Sequence, residues 1–176
     1  TMRIWLPLAV LGVYEATRKD TIRWAWLVLS GFALGLSWMA GHPQSSYFLT
    51  FLLIALLGYR AYLKQYRWTT VAAGILLLGV IAGGMAAVQL LPGFEYLLRT
   101  SRAGFGFDKK GNGFPFRDII QFIFPHITSQ WSPLYVGIPG LALAIIAVWR
   151  RLPGAWFWGG VMLIALVLSF GANSPI

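Results

Sequence analysis

The chain has 176 residues, of which 58% are hydrophobic and only 11% are charged, whereas an average soluble domain carries about 25% charged residues. A soluble domain of this size could not bury so much apolar surface in one core, so the composition argues against a water-soluble protein and predicts a lipid environment. The net charge of +9 lies in short basic clusters between apolar runs, which is typical of membrane orientation signals rather than of a nucleic-acid surface, and the absence of cysteine excludes disulfides.

Six apolar runs predict an all-α, polytopic transmembrane helix bundle, because a helix of about 20 residues crosses about 30 Å of hydrocarbon. In chain order the runs are 2–14, 24–40, 45–62, 68–91, 134–149 and 155–170. The first run is short, and the chain begins at Thr1 rather than at a methionine. We therefore expect one transmembrane domain over residues 1–176, an internal piece of a longer protein with its first span truncated.

The connections between the runs predict the orientation of the bundle. Short basic turns mark the cytoplasmic side of a membrane protein, and here they hold Arg18, Lys19, Arg23, Arg60, Lys64, Arg67, Arg150 and Arg151. The extracytoplasmic side then receives the turn at 42–44, the long polar loop 92–133 and the segment 172–174.

Small and aromatic residues in the runs have structural interpretations. The motifs Gly31-x-x-x-Gly35 and Gly79-x-x-x-Gly83 permit close helix approach, and we favour packing within the chain over dimerisation. Most of the nine tryptophans lie near the ends of the runs and are interpreted as interfacial anchors.

The outer loop contains two segments of different character. The glycine-rich segment Ala103–Gly113 lacks the ending of a P-loop; it is either a mobile loop, which we favour, or a lid that orders over a ligand. The next segment is Phe114–Phe124. Its Arg117, Asp118 and Gln121 would share about a third of a helical circle, so we predict an amphipathic helix that lies in the membrane interface.

The two histidines, His42 and His126, lack the spacing of a metal-binding motif, and we predict no metal site. The triplet His42-Pro43-Gln44 is polar and lies between two apolar runs, so it must face water, a cavity or protein. A tight turn between antiparallel helices and a contact with a substrate explain this triplet equally well.

The stretch from Gly79 to Arg102 begins as an apolar helix and becomes polar at Pro92. A membrane helix that reaches charged residues has reached the water interface, where function is expected. Arg99 and Arg102 would share one helix face, and Glu95 has the spacing of a helical ion pair with Arg99. Two interpretations stay open: the arginines bind a specific lipid phosphate, or they pair with ordinary headgroups and with Glu95.

Four short motifs resemble, in their order and spacing, the bacterial YfhO-like membrane proteins. They are Gly41-His42-Pro43-Gln44, Gln89-Leu90-Leu91-Pro92 with Glu95 and then Ser101-Arg102, Tyr135-Val136-Gly137, and Phe170-Gly171-Ala172-Asn173-Ser174-Pro175. The resemblance covers most of the chain. It implies a membrane glycosyltransferase of the GT-C type in the bacterial cytoplasmic (inner) membrane, which transfers a sugar from a polyprenyl-phosphate donor to a cell-envelope acceptor on the outer face.

The resemblance also implies a division of roles. GT-C enzymes usually carry the catalytic acid in their first outer loop, which we expect upstream of Thr1, so the catalytic residue of this chain is unknown. We hypothesise that Arg99 and Arg102 bind the donor phosphate, because arginine pairs with phosphate oxygens in a bidentate way. Glu95 would orient Arg99. The residues His42 and Gln44 would line the same cavity.

The expected partners are membrane lipids and the lipid-linked sugar; no cofactor and no nucleic acid is expected, and the oligomeric state is left open. The alternative is a non-enzymatic polytopic membrane protein, such as a transporter module or an envelope-assembly scaffold. A transporter should have broken helices and polar groups near the midplane of the membrane. The polar residues of this chain lie at the outer ends of the runs instead, which favours the transferase.

Overall fold

The structure is a computed structural model that describes residues 4–41, 43–100, 113–125, 127 and 134–171. These residues form six α-helices and one 3-10 helix and contain no β-strand, so the all-helical prediction is confirmed for them. The helices are α1 (Trp5–Ala16), α2 (Trp24–Met39), α3 (Pro43–Lys64), α4 (Trp68–Leu98), the 3-10 helix (Phe116–Phe122), α5 (Ile138–Trp149) and α6 (Ala155–Ser169).

The helices group into two compact units, Thr1–Thr100 and Ser101–Ile176. The first unit contains α1 to α4, and its centre is α2, which packs most extensively against α1 and α4. The second unit contains the 3-10 helix, α5 and α6, and its two α-helices pack against each other.

Glycines allow α2 to lie very close to its neighbours. A Cβ atom added at Gly31 would lie 3.0 Å from Ile81 Cβ, and one added at Gly35 would lie 2.9 Å from Met85 Cβ. The prediction that this glycine pair serves packing within the chain is therefore confirmed. Around Gly79 and Gly83 of α4, in contrast, a Cβ atom would meet nothing within 4 Å.

Buried hydroxyl groups join α2 to the helices on either side of it. Ser30 Oγ donates a hydrogen bond of 2.8 Å to the carbonyl oxygen of Ala9 in α1. Ser37 and Ser46 join α2 to α3, because their Oγ atoms lie 3.0 Å apart and Ser46 Oγ also donates to the Ser37 carbonyl oxygen at 2.9 Å. Each buried hydroxyl is thus satisfied within the helix bundle.

The end of α3 fixes the turn between α1 and α2. Arg60 donates from Nε to Thr17 Oγ1 at 3.1 Å and from Nη2 to the Thr17 carbonyl oxygen at 3.0 Å. Thr17 follows the last residue of α1, so the guanidinium group is a cation at a helix C-terminus, where the helix dipole favours positive charge. Lys64 pairs with Asp20 at 3.2 Å, and the Tyr66 hydroxyl donates to the Lys19 carbonyl oxygen.

Two of the described helices, α3 and α4, are long and apolar enough to cross a membrane. They have 22 and 31 residues, which corresponds to about 33 Å and about 46 Å at about 1.5 Å per residue. Only 33% of the most apolar window of α3 and 22% of that of α4 are buried, unlike a core helix of a soluble protein. The other four α-helices are apolar but shorter, so two helices rather than six reach the length of a span.

Two helix boundaries differ from the predicted spans. The fourth span was expected to end at Leu91, but α4 continues through Pro92 to Leu98. Proline in a helix interior removes a backbone donor and costs about 3 kcal/mol, yet the residues that follow it continue the helix. The fifth span was expected from Leu134, but α5 begins at Ile138, because Gly137 has a φ of 84° that an α-helix cannot include.

The close contact between α1 and α2 predicts that Gly12 tolerates no side chain. A Cβ atom at Gly12 would lie 2.8 Å from Ser30 Cβ and 2.9 Å from the backbone oxygen of Trp26. We expect Gly12→Ala to destabilise the protein by about 1–3 kcal/mol through overpacking, measured by thermal unfolding in detergent. The matched control is Gly58→Ala in α3, where a Cβ atom meets nothing within 4 Å, and it should be neutral or stabilising by about 0.5–1 kcal/mol. Equal melting temperatures of the two variants would contradict this packing.

The environment of Tyr66 makes the free energy of unfolding depend on pH in the alkaline range. Burial raises the pKa of the Tyr66 hydroxyl above 10.0, and the positive charges of Lys64 and Arg60 offset part of this effect. Because the folded pKa is raised, the stabilisation is fully present below pH 10 and is lost as the pH rises through the folded pKa. The stability advantage of the wild type over Tyr66→Phe should therefore narrow above about pH 10, measured by unfolding from pH 8 to 11. A constant difference across this range would refute the linkage.

Candidate functional site at the end of α4

The last turns of α4 extend past the end of α2. The two helices run in the same direction, since Gly31 faces Ile81 and Gly35 faces Met85. α2 ends at Met39, whereas α4 continues to Leu98, and at about 1.5 Å per residue the overhang is roughly 14 Å. Side chains along this overhang are exposed: Leu91 by 69%, Tyr96 by 73% and Leu98 by 79%.

The predicted ion pair between Glu95 and Arg99 forms on this overhang. Arg99 Nη2 lies 2.5 Å from Glu95 Oε1, across one helical turn. Arg99 is the C-terminal cap of α4, so its positive charge also lies at the favourable end of the helix dipole. The pair is 77% and 66% exposed at Arg99 and Glu95 respectively, which makes it a surface ion pair.

The geometry of this pair leaves most of the guanidinium group accessible. A guanidinium group has five N–H donors in a planar fork, and Glu95 takes a hydrogen bond from one nitrogen of Arg99. The carboxylate therefore occupies one donor of the guanidinium group, and the remaining donors are available to the surroundings. Such an arrangement can accept a second anion, and phosphate oxygens fit the fork in a bidentate way.

The other predicted site residues lie elsewhere or outside the described residues. Gln44 is exposed in the first turn of α3, and within the described part of the chain no hydrogen bond joins it to Glu95 or Arg99. His42 and Arg102 lie outside the described residues, as do His126 and residues 103–112. Of the predicted site residues that the structure describes, it brings together Glu95 and Arg99 alone.

The segment predicted as an amphipathic interfacial helix is a short 3-10 helix that buries two of its three polar side chains. Asp118 and Gln121 are each only 1% exposed. The apolar side chains of this helix are exposed by 43–46%, namely Phe116, Ile119 and Ile120. The prediction that Arg117, Asp118 and Gln121 share one face is wrong, because Arg117 is exposed while the other two are buried. In a 3-10 helix, with three residues per turn, Asp118 and Gln121 lie on one face and Arg117 does not.

Contacts with the end of α6 explain this orientation. The Phe114 backbone N–H donates to the Ser169 carbonyl oxygen at 2.9 Å, and the rings of Phe116 and Phe170 lie 4.4 Å apart between centroids. These contacts fix the segment at its start, so the apolar face of the following turns is left toward the surroundings. An apolar face in that position requires an apolar medium or a partner.

Among the described residues, no group of three or more histidine, aspartate or glutamate side chains could hold a metal ion. Within the described residues, the Glu95–Arg99 pair is the only contact between residues with a predicted role in anion binding.

Comparison with protein-family models, with curated proteins and with solved structures finds no match for this chain. The functional assignment therefore depends on the chemistry of its own residues.

The exposure of the Glu95–Arg99 pair predicts a small contribution to stability. Exposed helical pairs at this spacing contribute about 0.3–0.5 kcal/mol, because water screens them. We expect Glu95→Gln to change the free energy of unfolding by no more than about 0.5 kcal/mol, measured by thermal unfolding in detergent. A loss several times larger would mean that the pair holds the end of α4 in place rather than serving a ligand.

Proposed function

We propose that this chain is a multi-pass protein of the bacterial cytoplasmic membrane and part of a glycosyltransferase. The enzyme would move a sugar from a polyprenyl-phosphate donor to a cell-envelope acceptor on the outer face. The observation that carries the proposal is the exposed guanidinium group of Arg99, held by Glu95 at the end of a long apolar helix.

The apolar exterior of the helices supports the membrane part of the proposal. Large apolar side chains on α3 and α4 are exposed, including Phe51 by 66%, Leu76 by 67% and Val88 by 76%. In the second unit, α5 has no buried residue. Exposed apolar patches of this kind are rare on soluble monomers, whereas lipid chains solvate them well.

The polar ends of the first unit support the proposed orientation. Contacts of Arg60, Lys64 and Tyr66 with the α1–α2 turn bring the basic residues of that turn and of the end of α3 to one end of the first unit. Basic turns favour the cytoplasmic side. The Glu95–Arg99 pair lies at the opposite end of α4, which would face the outer side.

The chemistry of glycosyl transfer supports a role for this pair. The leaving group is a phosphate, and positive charge that is already oriented stabilises its developing charge in the transition state. Arg99 offers such a charge. The expectation that Arg99 and Arg102 share one helix face fails, because α4 ends at Leu98 and Arg99 is its C-terminal cap. Arg102 lies outside the described residues, so its proposed role rests on its closeness to Arg99 in the sequence.

A non-enzymatic role, as a transporter module or an envelope-assembly scaffold, is the second candidate. The exposure of Arg99 by 77% favours it, because a pair that is open to the surroundings could also bind lipid headgroups without any reaction. Sugar transfer measured on arginine variants discriminates between the two.

We expect Arg99→Ala and Arg102→Ala each to reduce sugar transfer about tenfold to a hundredfold. A charge-assisted hydrogen bond contributes roughly 1.5–3 kcal/mol, and about 1.4 kcal/mol corresponds to a factor of ten. Arg102→Lys keeps the charge but loses the fork, so it should restore transfer only in part. The measurement is transfer from a polyprenyl-phosphate sugar in membranes that contain matched levels of the full-length protein carrying each substitution.

The control for loop charge is Lys110→Ala, which removes one positive charge from the glycine-rich segment and should leave transfer unchanged. Unchanged transfer in Arg99→Ala and Arg102→Ala, or an equal loss in Lys110→Ala, would contradict the phosphate role. Absence of transfer by the full-length wild-type protein with any lipid-linked sugar would favour the scaffold.

A further inference from the structure

The hairpin of α5 and α6 contains an apolar groove. The groove has a volume of about 800 Å³ and takes its lining from both helices, including Leu141, Val148 and Met162. This volume lies within the range of about 300–1,000 Å³ that is typical of small-molecule sites. The groove lies between α5 and α6, which pack against each other.

Two arginines lie at the closed end of this hairpin. Arg150 and Arg151 stand in the chain between Trp149 and Leu152, both of which line the groove. Both arginines are exposed, and the described residues place no carboxylate within ion-pair distance of either. Two exposed positive charges without an ion-pair partner among the described residues are therefore adjacent in the chain to residues that line the apolar groove.

The backbone holds these arginines in a defined turn. The Arg151 N–H donates to the Val148 carbonyl oxygen at 3.0 Å, and the Leu152 N–H donates to the Ala147 carbonyl oxygen at 3.0 Å. Arg151 has a φ of 49°, a left-handed conformation in which helix ends usually place glycine. Arg151 therefore places a guanidinium group at a backbone position where glycine would be the most favourable residue.

Tryptophans indicate the depth of this end in a bilayer. Trp149 and Trp156 flank the turn and are 79% and 68% exposed. Exposed tryptophans of membrane helices lie at the level of the lipid headgroups. Arg150 and Arg151 would then lie at the depth of lipid phosphates, and the groove would lie beside the acyl chains.

We propose that this groove binds one anionic glycerophospholipid, with an acyl chain along Val148 and Met162 and its phosphate on Arg150 and Arg151. Charge complementarity selects this occupant, because a neutral helix would fill the groove but leave both guanidinium groups without a counter-charge. The proposal rests on the membrane location given above and does not depend on sugar transfer, so either can fail without the other.

The test is binding of phosphatidylglycerol to the full chain in detergent, measured as lipid adducts by native mass spectrometry. Phosphatidylcholine with the same acyl chains and inorganic phosphate are the reference ligands. We expect phosphatidylglycerol to bind more tightly than phosphatidylcholine, and phosphate alone not to displace it, because phosphate cannot fill the groove.

Arg150→Gln combined with Arg151→Gln should weaken phosphatidylglycerol binding roughly thirtyfold, since each basic residue beside an anionic lipid contributes a factor of about five. The matched variant combines Arg18→Gln with Lys19→Gln, which removes the same charge from the exposed α1–α2 turn, and it should bind like the wild type. Arg150→Lys with Arg151→Lys keeps the charges and should retain most of the binding, which separates loss of charge from loss of folding.

Gly159→Leu tests the groove independently of charge. A Cβ atom at Gly159 reaches only ordinary contact, 3.7 Å from Val148 Cγ2, and Gly159 lines the groove, so the further atoms of leucine would take up groove volume. We expect this variant to fold, as checked by thermal melting, and to lose phosphatidylglycerol binding.

The proposal is overturned if the double glutamine variant binds phosphatidylglycerol like its matched control, or if Gly159→Leu binds it like the wild type. It is also overturned if Gly159→Leu dissociates an oligomer while lipid binding stays the same, because a second copy of the chain would then occupy the groove.

Discussion

Apolar side chains cover much of the outside of the helices in both units, and this constraint decides how the rest of the molecule is held together. In a lipid medium the hydrophobic effect does not draw helices to each other, so close packing and hydrogen bonds have to do so. The first unit meets this requirement at α2. Gly31 and Gly35 bring α4 close, while Ser30 and Ser37 hydrogen bond to α1 and α3.

The same constraint confines charged groups to the ends of the helices. At one end of the first unit, Arg60 holds the carbonyl oxygen that follows α1, and Lys64 pairs with Asp20. These contacts hold the basic turns together, so the charges that would set orientation are part of the fold itself. At the other end, the Glu95–Arg99 pair lies on the part of α4 that extends past α2, so its guanidinium group is accessible to an anion.

The sequence predicted the features that follow from local rules. The all-helical fold, the packing role of Gly31 and the pairing of Glu95 with Arg99 all follow from composition or spacing, and the described residues confirm them. Features that depend on tertiary contacts were missed. The sequence could not show that α4 passes through Pro92, nor that Asp118 is buried. The groove between α5 and α6 also requires the relative position of two helices, although the Arg150-Arg151 dipeptide was visible in the sequence as a basic turn.

The most direct test of the membrane location is the side from which each turn of the first unit can be labelled. The chain contains no cysteine, so Lys19→Cys, Gln44→Cys and Arg67→Cys can be probed one at a time with an impermeant thiol reagent on intact cells. All three positions are exposed. We expect Gln44→Cys to label from outside, and the other two to label only after the cells are permeabilised. Labelling of Gln44→Cys and Arg67→Cys from the same side, or recovery of the protein in the soluble fraction, would contradict a fold in which α3 crosses the membrane.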